Sequence, residues 1–300
     1  MKKIYIILLI SISAVSTQLH AQNDFQFSQF MFNELCYNPA VAATSNDINL
    51  SLLGRQQWIG FGGAPSTQSF NAHCNFDKIG GFGLNILNDQ LGYEHNLNAR
   101  FSYARNFKLG DTTSFCLGIS GGIASRSVDA DELTFENSAE VIAPEDLENK
   151  TKGDFGVGLV FRTHGFTLQA SSTHITQSMS KSDFYKVPRH YYLSMSYRFD
   201  LGNDWTLTPA FFARSSEFIT QYDLHARATY DNKVWFGLSY RWDESAILLA
   251  GVRITEYLGI GYAGDWITGP ASAYSQTSHE LMLIGKIRGP KKKTSSPMMF

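Results

Sequence analysis

A chain of 300 residues with a net charge of −2 and 17% charged side chains has no basic excess for nucleic acid, and its one cationic run, Lys291-Lys292-Lys293, lies in the tail. Aromatic residues at 14% and 25 glycines suit many short, half-apolar strands better than helices. Three cysteines, Cys36, Cys74 and Cys116, allow at most one internal bridge, so a disulfide-stapled fold is excluded and they read as small buried apolar residues.

The N-terminus opens with Met1-Lys2-Lys3, an apolar run over residues 4–12 and polar Ser16-Thr17-Gln18, the layout of a secretory signal peptide over residues 1–21. Cleavage is expected between Ala21 and Gln22, which places the working chain outside the cytoplasm; no cysteine stands there to take a lipid. The run 4–12 is too short to span a bilayer as a helix, and nothing later is long and apolar enough. A membrane location therefore requires closed β-structure, because only helices and barrels satisfy their own backbone polar groups in hydrocarbon.

Residues 22–46 form the next unit. Phe25, Phe27, Phe30, Met31 and Phe32 are too apolar for a free tail, so something must bury them. Two readings stand: a plug packed in the periplasmic mouth of a barrel, which we favour, or a docking surface for a periplasmic partner.

Over residues 47–288 the apolar residues alternate with period two, the pattern of strands with one face to lipid and one to a lumen. In residues 95–106, Leu97, Ala99, Phe101 and Tyr103 oppose Asn98, Arg100, Ser102 and Ala104. Phe155, Val157, Leu159 and Phe161 oppose Gly156, Gly158 and Val160. Tyr191, Leu193, Met195, Tyr197 and Phe199 oppose Tyr192, Ser194, Ser196, Arg198 and Asp200. Tyr222, Leu224, Ala226, Ala228 and Tyr230 oppose Asp223, His225, Arg227 and Thr229; Val234, Phe236, Leu238, Tyr240 and Trp242 oppose Trp235, Gly237, Ser239 and Arg241. Extended along the chain, this predicts an all-β fold, a transmembrane antiparallel up-and-down β-barrel of about fourteen strands.

An even count puts both termini on the periplasmic side. Tight periplasmic turns are expected at Lys78-Ile79-Gly80, Thr163-His164-Gly165, Gly202-Asn203-Asp204 and Asp231-Asn232-Lys233. Longer external connections fall at residues 58–65, 128–152, 176–189 and 268–278, with Asp243-Glu244-Ser245 as a short exception. Trp58, Trp205, Trp242, Trp266, Tyr93 and Tyr257 are expected near the membrane interfaces. Residues 289–300 form a basic periplasmic tail.

No chemistry rises from these residues. Gly118-Ile119-Ser120-Gly121-Gly122 matches a nucleophile elbow, but the alternation of Phe115, Leu117, Ile119 and Ile123 runs a strand through Ser120 with no helix after it. Asp129, Asp131, Glu132 and Glu136 lack the spacing of a calcium loop. His73, His174, His190 and His225 show no paired metal spacing. We expect no catalytic, cofactor or metal residues, and no enzyme. Arg55, Arg100, Arg162, Arg198, Arg227 and Arg241 face Asp154, Asp200, Asp223 and Asp265 across the lumen, which calls for internal pairing. An open channel usually takes about 16 to 18 strands.

The chain also resembles the PorP/SprF family. The residues that carry this are FSQFMFNELCYNPA at 27–40, RQQWIGFGGAPSTQSFNAH at 55–73, GFGLNILNDQLG at 81–92, RHYYLSMSYRF at 189–199, WFGLSYRW at 235–242 and SHELMLIGKI at 278–287. The resemblance implies an outer-membrane barrel of the type IX secretion system of Bacteroidetes, serving protein export, gliding motility or surface anchoring of an adhesin. It implies as partners the outer-membrane lipids, ring and lipoprotein components on the periplasmic side, or a large secreted adhesin outside. A small-solute porin is the alternative.

Overall fold

The computed structural model describes residues 24–128, 150–176, 187–216 and 219–289. The strands are β1 (Ile48–Gln56), β2 (Ser66–Phe76), β3 (Gly80–Leu91), β4 (Glu94–Lys108), β5 (Thr113–Val128), β6 (Lys150–Thr163) and β7 (Phe166–Thr173). They continue as β8 (His190–Tyr197, prolonged by Phe199–Gly202), β9 (Trp205–Ser215), β10 (Thr220–Tyr230), β11 (Val234–Arg241), β12 (Ser245–Arg253), β13 (Leu258–Ile267) and β14 (Thr277–Ile287). The two pieces of β8 are one strand, because Ser196 opposite Ala210 and Phe199 opposite Leu207 keep a single register. That register puts Pro209, which has no amide hydrogen to donate, across from the break.

Each strand pairs antiparallel with its neighbours in sequence, and β14 pairs with β1 from Ile48↔Ile287 to Gln56↔His279. The result is a closed fourteen-stranded barrel with no free sheet edge, as the alternation predicts. No helix among the described residues is long and apolar enough to cross a membrane.

The alternation sorts as read. Leu97, Phe101, Phe155, Val157, Leu224, Phe236 and Leu238 are exposed on the outside of the barrel, while Asn98, Arg100, Ser102, Ala104, Val160 and Trp235 are buried inside. Those outer side chains stand in lipid, where a row of apolar groups costs nothing. Trp205 and Tyr257 ring one end, and Tyr93, Trp242 and Trp266 the other, each at a strand end.

At the end shared by Ile48 and Ile287, the six turns are short; the longest are residues 109–112 and 254–257. Left-handed backbone at His164, Asn203, Asp204, Asp231 and Asn232 lets the chain reverse in two or three residues. The opposite end carries the connections 57–65, 129–149, 174–189 and 268–276, which marks it as the outer end. Two further connections there are as short as the one expected around Asp243: 92–93 and 216–219. The hairpin of β5 and β6 also runs further than the sequence suggests, since Ala124 to Arg126 pair with Lys150 to Lys152. The expected signal peptide at residues 1–21, the acidic residues Asp129, Asp131, Glu132 and Glu136 and the tail with Lys291–Lys293 lie outside the described residues.

This parity is open to test by surface labelling. An epitope inserted in the 129–149 connection should be reached by antibody on intact cells, and one added after Phe300 only after permeabilisation. Labelling of the C-terminal epitope on intact cells contradicts the even count.

Candidate functional site: the filled lumen and its outer mouth

Residues 24–46 do not form a strand, because Asn33, Asn38 and Pro39 interrupt any alternation, and they run instead as three short 3-10 turns, Phe30–Phe32, Glu34–Cys36 and Pro39–Ala43. The Asn38 side chain caps the third by accepting the Ala40 N–H at 3.0 Å, and Pro39 stands in its first position, where no donor is needed. The whole segment lies inside the barrel. Phe27, Phe30, Leu35, Cys36, Tyr37 and residues 40–43 are all buried, and burying each aromatic ring is worth about 1.5–3 kcal/mol. Phe30 stacks on Phe212 at 4.6 Å, Tyr37 packs on Tyr192 and Phe212, and Phe32 lies against Trp235.

An irregular segment cannot satisfy its own backbone, so the lumen wall does it. Glu280 accepts the N–H groups of Ser28 and Gln29 at 2.7 and 2.8 Å. Arg100 donates to the Cys36 carbonyl at 2.7 Å, Arg241 to that of Phe27 at 3.4 Å, Asn106 to that of Ala43 at 3.2 Å and Arg162 to that of Thr44 at 3.4 Å. Asn38 donates to the Leu159 carbonyl at 2.9 Å. At the periplasmic half the wall is cut away. A Cβ on Gly81 would stand 2.2 Å from the Ala42 carbonyl oxygen, one on Gly118 2.4 Å from the Ala40 nitrogen, and one on Gly158 2.0 Å from Asn38 Oδ1. Gly118 is therefore a packing glycine in the middle of β5, and the strand passes straight through Ser120 without an elbow.

The segment is not confined to the periplasmic mouth, as the sequence reading places it. Ala42 meets β3 near its periplasmic start, whereas Asp24 lies 166 positions away in sequence from its partner His190, beside an outer connection, and Gln26 reaches Glu244 in another. The chain thus climbs the full lumen, and its described N-terminal end is at the outer mouth rather than on the periplasmic side. A cavity of about 280 Å³ opens at the periplasmic end, lined by Glu34, Thr44, Arg162, Arg253 and Glu256 among others.

Two charged clusters close the outer mouth. In one, Arg55 pairs with Asp265 at 2.8 Å and Glu280 at 3.4 Å, and Arg241 with Asp223 at 2.9 Å, Glu244 at 3.1 Å and Asp265 at 3.6 Å. Ser28 sits between them, donating to Asp265 and accepting from Arg55 at 2.7 Å. Burial works against the Glu244 charge, but Arg241 and Arg214 beside it hold its carboxyl down at about 2. In the other, His174 stands between Asp154 at 3.2 Å and Asp24 at 3.5 Å, with Arg100 at 3.9 Å from Asp154. Burial would lower His174, yet the two carboxylates hold it up at about 9; Asp24 is correspondingly held below the usual carboxylate range.

Of the charges read as facing the lumen, Arg55, Arg100, Arg241, Asp154, Asp223 and Asp265 are buried there. Arg198 and Asp200 are not: they pair with each other in the open at the periplasmic rim, because β8 runs on past the start of β7, paired there with β9 alone. Sequence reasoning missed Glu280, Arg214 and Glu244. Glu280 was legible, since it alternates with outward Leu281 and Leu283; Glu244 was not, since a turn residue carries no facing. His174 and His190, apart by 16 positions, meet because they begin and end one outer connection. Cys36, Cys74 and Cys116 are free and buried.

Comparison with known proteins gives the following. The family model described as type IX secretion system membrane protein PorP/SprF matches residues 19–284. No curated protein matches. Among solved structures the chain is similar to the CymD monoaromatic hydrocarbon channel, at 7% identity over 89% of this chain and 94% of that one, TM-score 0.55. It is similar also to the Ralstonia pickettii toluene transporter TbuX (10% identity, 85% and 93% covered, TM-score 0.49) and to Omp33 of Acinetobacter baumannii (10%, 82% and 100%, TM-score 0.47). At such identities the likeness concerns the outer-membrane barrel fold alone.

Three measurements check this interior. Gly118→Val drives a side chain into the Ala40 backbone and should cost roughly 1–3 kcal/mol in detergent-solubilised protein, while Gly110→Ala, in an open turn, should cost nothing measurable. Arg241→Ala strands the Asp223 and Asp265 carboxylates and should cost about 3–5 kcal/mol. Because the Glu244 carboxyl is depressed, its stabilisation is complete above its ordinary value of 4.5 and is lost as pH falls toward about 2. Melting curves of Glu244→Gln and the parent should therefore differ above pH 4.5 and converge near pH 2.

Proposed function

Because the chain belongs to the PorP/SprF family of type IX secretion system membrane proteins, we propose that it is a non-conducting, non-catalytic outer-membrane component of that machinery, one that engages a secreted protein at its outer face and the export apparatus at its periplasmic end. The observation that carries the first part is the filled lumen. A pore that conducts small solutes needs a continuous water path, and residues 24–46 occupy that path with aromatic rings and a closed net of ion pairs. The porin reading has no observation in its favour beyond the shape of the barrel.

The outer connections support the second part. The 57–65 and 268–276 connections are tied together by the Ile59 N–H to the Thr277 carbonyl at 2.9 Å and by Ser275 donating to the Ile59 carbonyl at 2.9 Å. This tie holds Ile59, Phe61 and Tyr274 in the open, with Tyr274 75% exposed and its ring 6.1 Å from Phe61. Apolar rings above the lipid belt have no lipid to face, which suits a protein cargo such as a large adhesin. Loops are free to bind because the strands are committed to lipid and lumen. A signal peptide removed after Ala21 would leave a free end of only a few residues beyond Asp24. Ring and lipoprotein components are the partners we assign to the periplasmic rim, and protein export, gliding motility and adhesin anchoring are the roles that fit.

Deleting the gene should change the set of secreted and surface-displayed proteins while leaving uptake of small solutes as in the parent. The triple variant Ile59→Ser, Phe61→Ser, Tyr274→Ser should reproduce the display defect with a normally assembled barrel. Normal protein display with reduced solute uptake would sink the secretion reading and establish the porin. Removal of residues 22–46 should open ion conductance in planar bilayers, where the intact protein is silent.

A further inference from the structure

The second cluster at the outer mouth has a composition that ion pairing alone does not require. Asp24, His174 and His190 each bring one metal-ligating atom into a group in which all three atoms lie within 4.8 Å of one another. They come from three separate pieces of chain: the start of the lumen segment, the residue after β7 and the first residue of β8. His174 and His190 are buried to within 2% of complete exclusion from solvent.

We propose that Asp24, His174 and His190 form a binding site for one divalent transition-metal ion of the zinc class, which fastens the outer end of the lumen segment to β7 and β8.

The arrangement around each ligand is the one a metal needs. His174 turns Nδ1 to the Asp154 carboxylate at 3.2 Å and Nε2 to Asp24 Oδ2 at 3.5 Å. Two ligands held at about 2.0–2.1 Å from a tetrahedral zinc stand roughly 3.3–3.4 Å apart, so this pair already has the separation of two ligands on one ion. A histidine whose other nitrogen is fixed by a carboxylate is the usual supporting arrangement at such centres. His190 is fixed in the same sense by a carbonyl: its Nδ1 lies 3.0 Å from the Pro188 oxygen, which leaves Nε2 as the free lone pair. That lone pair now accepts the Asp24 N–H at 3.2 Å, so it already points at the residue that would share the ion. Tyr192 donates to Asp24 Oδ2 at 2.5 Å and the Phe25 N–H to Asp24 Oδ1 at 3.1 Å, so the carboxylate is held with Oδ2 toward His174, while Arg100 approaches Asp154.

The donor set selects the ion. Two imidazoles and one carboxylate suit zinc, copper, cobalt or nickel and disfavour calcium and magnesium, which take oxygen. A 2+ ion would stand beside the Asp24 and Asp154 carboxylates, which offset its charge. A fourth position is left for water. His174 has its backbone in the left-handed region, φ +56°, which turns its ring inward from the end of β7. The ion would do in the outer mouth what Gly81, Gly118 and Gly158 do below, fixing the segment against the wall. Metal binding of this kind is binding to the folded state alone and so raises its stability.

The test is titration of the full-length protein, purified in detergent and treated with chelator, with cobalt chloride. One Co²⁺ per chain should bind with visible ligand-field bands of a four- or five-coordinate nitrogen and oxygen site, zinc chloride should displace it, and zinc should raise the melting temperature. Asp24→Asn keeps the size of the side chain and the backbone N–H bond to His190 Nε2 and should weaken Co²⁺ binding more than tenfold; His190→Gln should do the same. Asp154→Asn, which touches the ion only through His174, should weaken it about 10- to 100-fold. His73→Gln, on the opposite half of the lumen, should leave it unchanged. Absence of stoichiometric bands in the parent, or bands of undiminished affinity in Asp24→Asn, overturns the site and leaves a hydrogen-bonded cluster. Should His190→Gln fail to fold, Asp24→Asn decides alone.

Discussion

A fourteen-stranded barrel leaves a space in its middle too wide for the wall side chains to fill, and in this protein the chain's own N-terminal segment fills it. Everything inside follows from the need to satisfy that segment's backbone. A long helix would carry its hydrogen bonds with it; three short 3-10 turns cannot, and leave N–H and C=O groups pointing in several directions. Glu280, Arg100, Arg241, Asn106 and Arg162 supply those groups. The lumen charges are therefore more than a self-cancelling network; several of their bonds hold a segment that is covalently attached.

The division of labour along the barrel axis follows from side-chain size. At the periplasmic half, small residues of the segment, Ala40, Ala42 and Ala43, press onto strands stripped to glycine, so contact is backbone against backbone and tolerates no added atom. At the middle, aromatic rings stack, and their area supplies the apolar stabilisation. At the outer mouth, buried charges take over. Their pairing offsets a desolvation cost that would otherwise expel them, and it fixes geometry more than it adds stability. A segment gripped by three kinds of contact at three levels has one register in the lumen, which a purely apolar filling would not impose.

The filled interior moves function to the two rims. The periplasmic rim is short turns and exposed charges such as the Arg198–Asp200 pair. The outer rim holds the longer connections, two of them braced together with aromatic rings in the open. A barrel of this design is a post in the membrane with two different ends. The segment bonded at its start to the outer connections that bear His174 and Glu244 is the same one that packs the periplasmic half.

The sequence by itself determined the wall. A period-two pattern records which face of each strand meets lipid, because hydrocarbon admits no polar side chain at Leu97, Phe101, Phe155 or Leu238, and turn chemistry at His164-Gly165 or Asp231-Asn232 is local to a few residues. The same locality made the apolar character of residues 25–32 legible and the need to bury it clear. Only the tertiary structure decided how far that segment travels and what receives it. Direction through a lumen is set by contacts between residues more than 100 positions apart, such as Asp24 with His190 and Ser28 with Glu280, and no local period encodes them. For the same reason the sequence could rule out an elbow at Gly118 but not show that this glycine makes room for the Ala40 backbone, and His174 and His190 read as unrelated until barrel closure brought the two ends of one connection to Asp24.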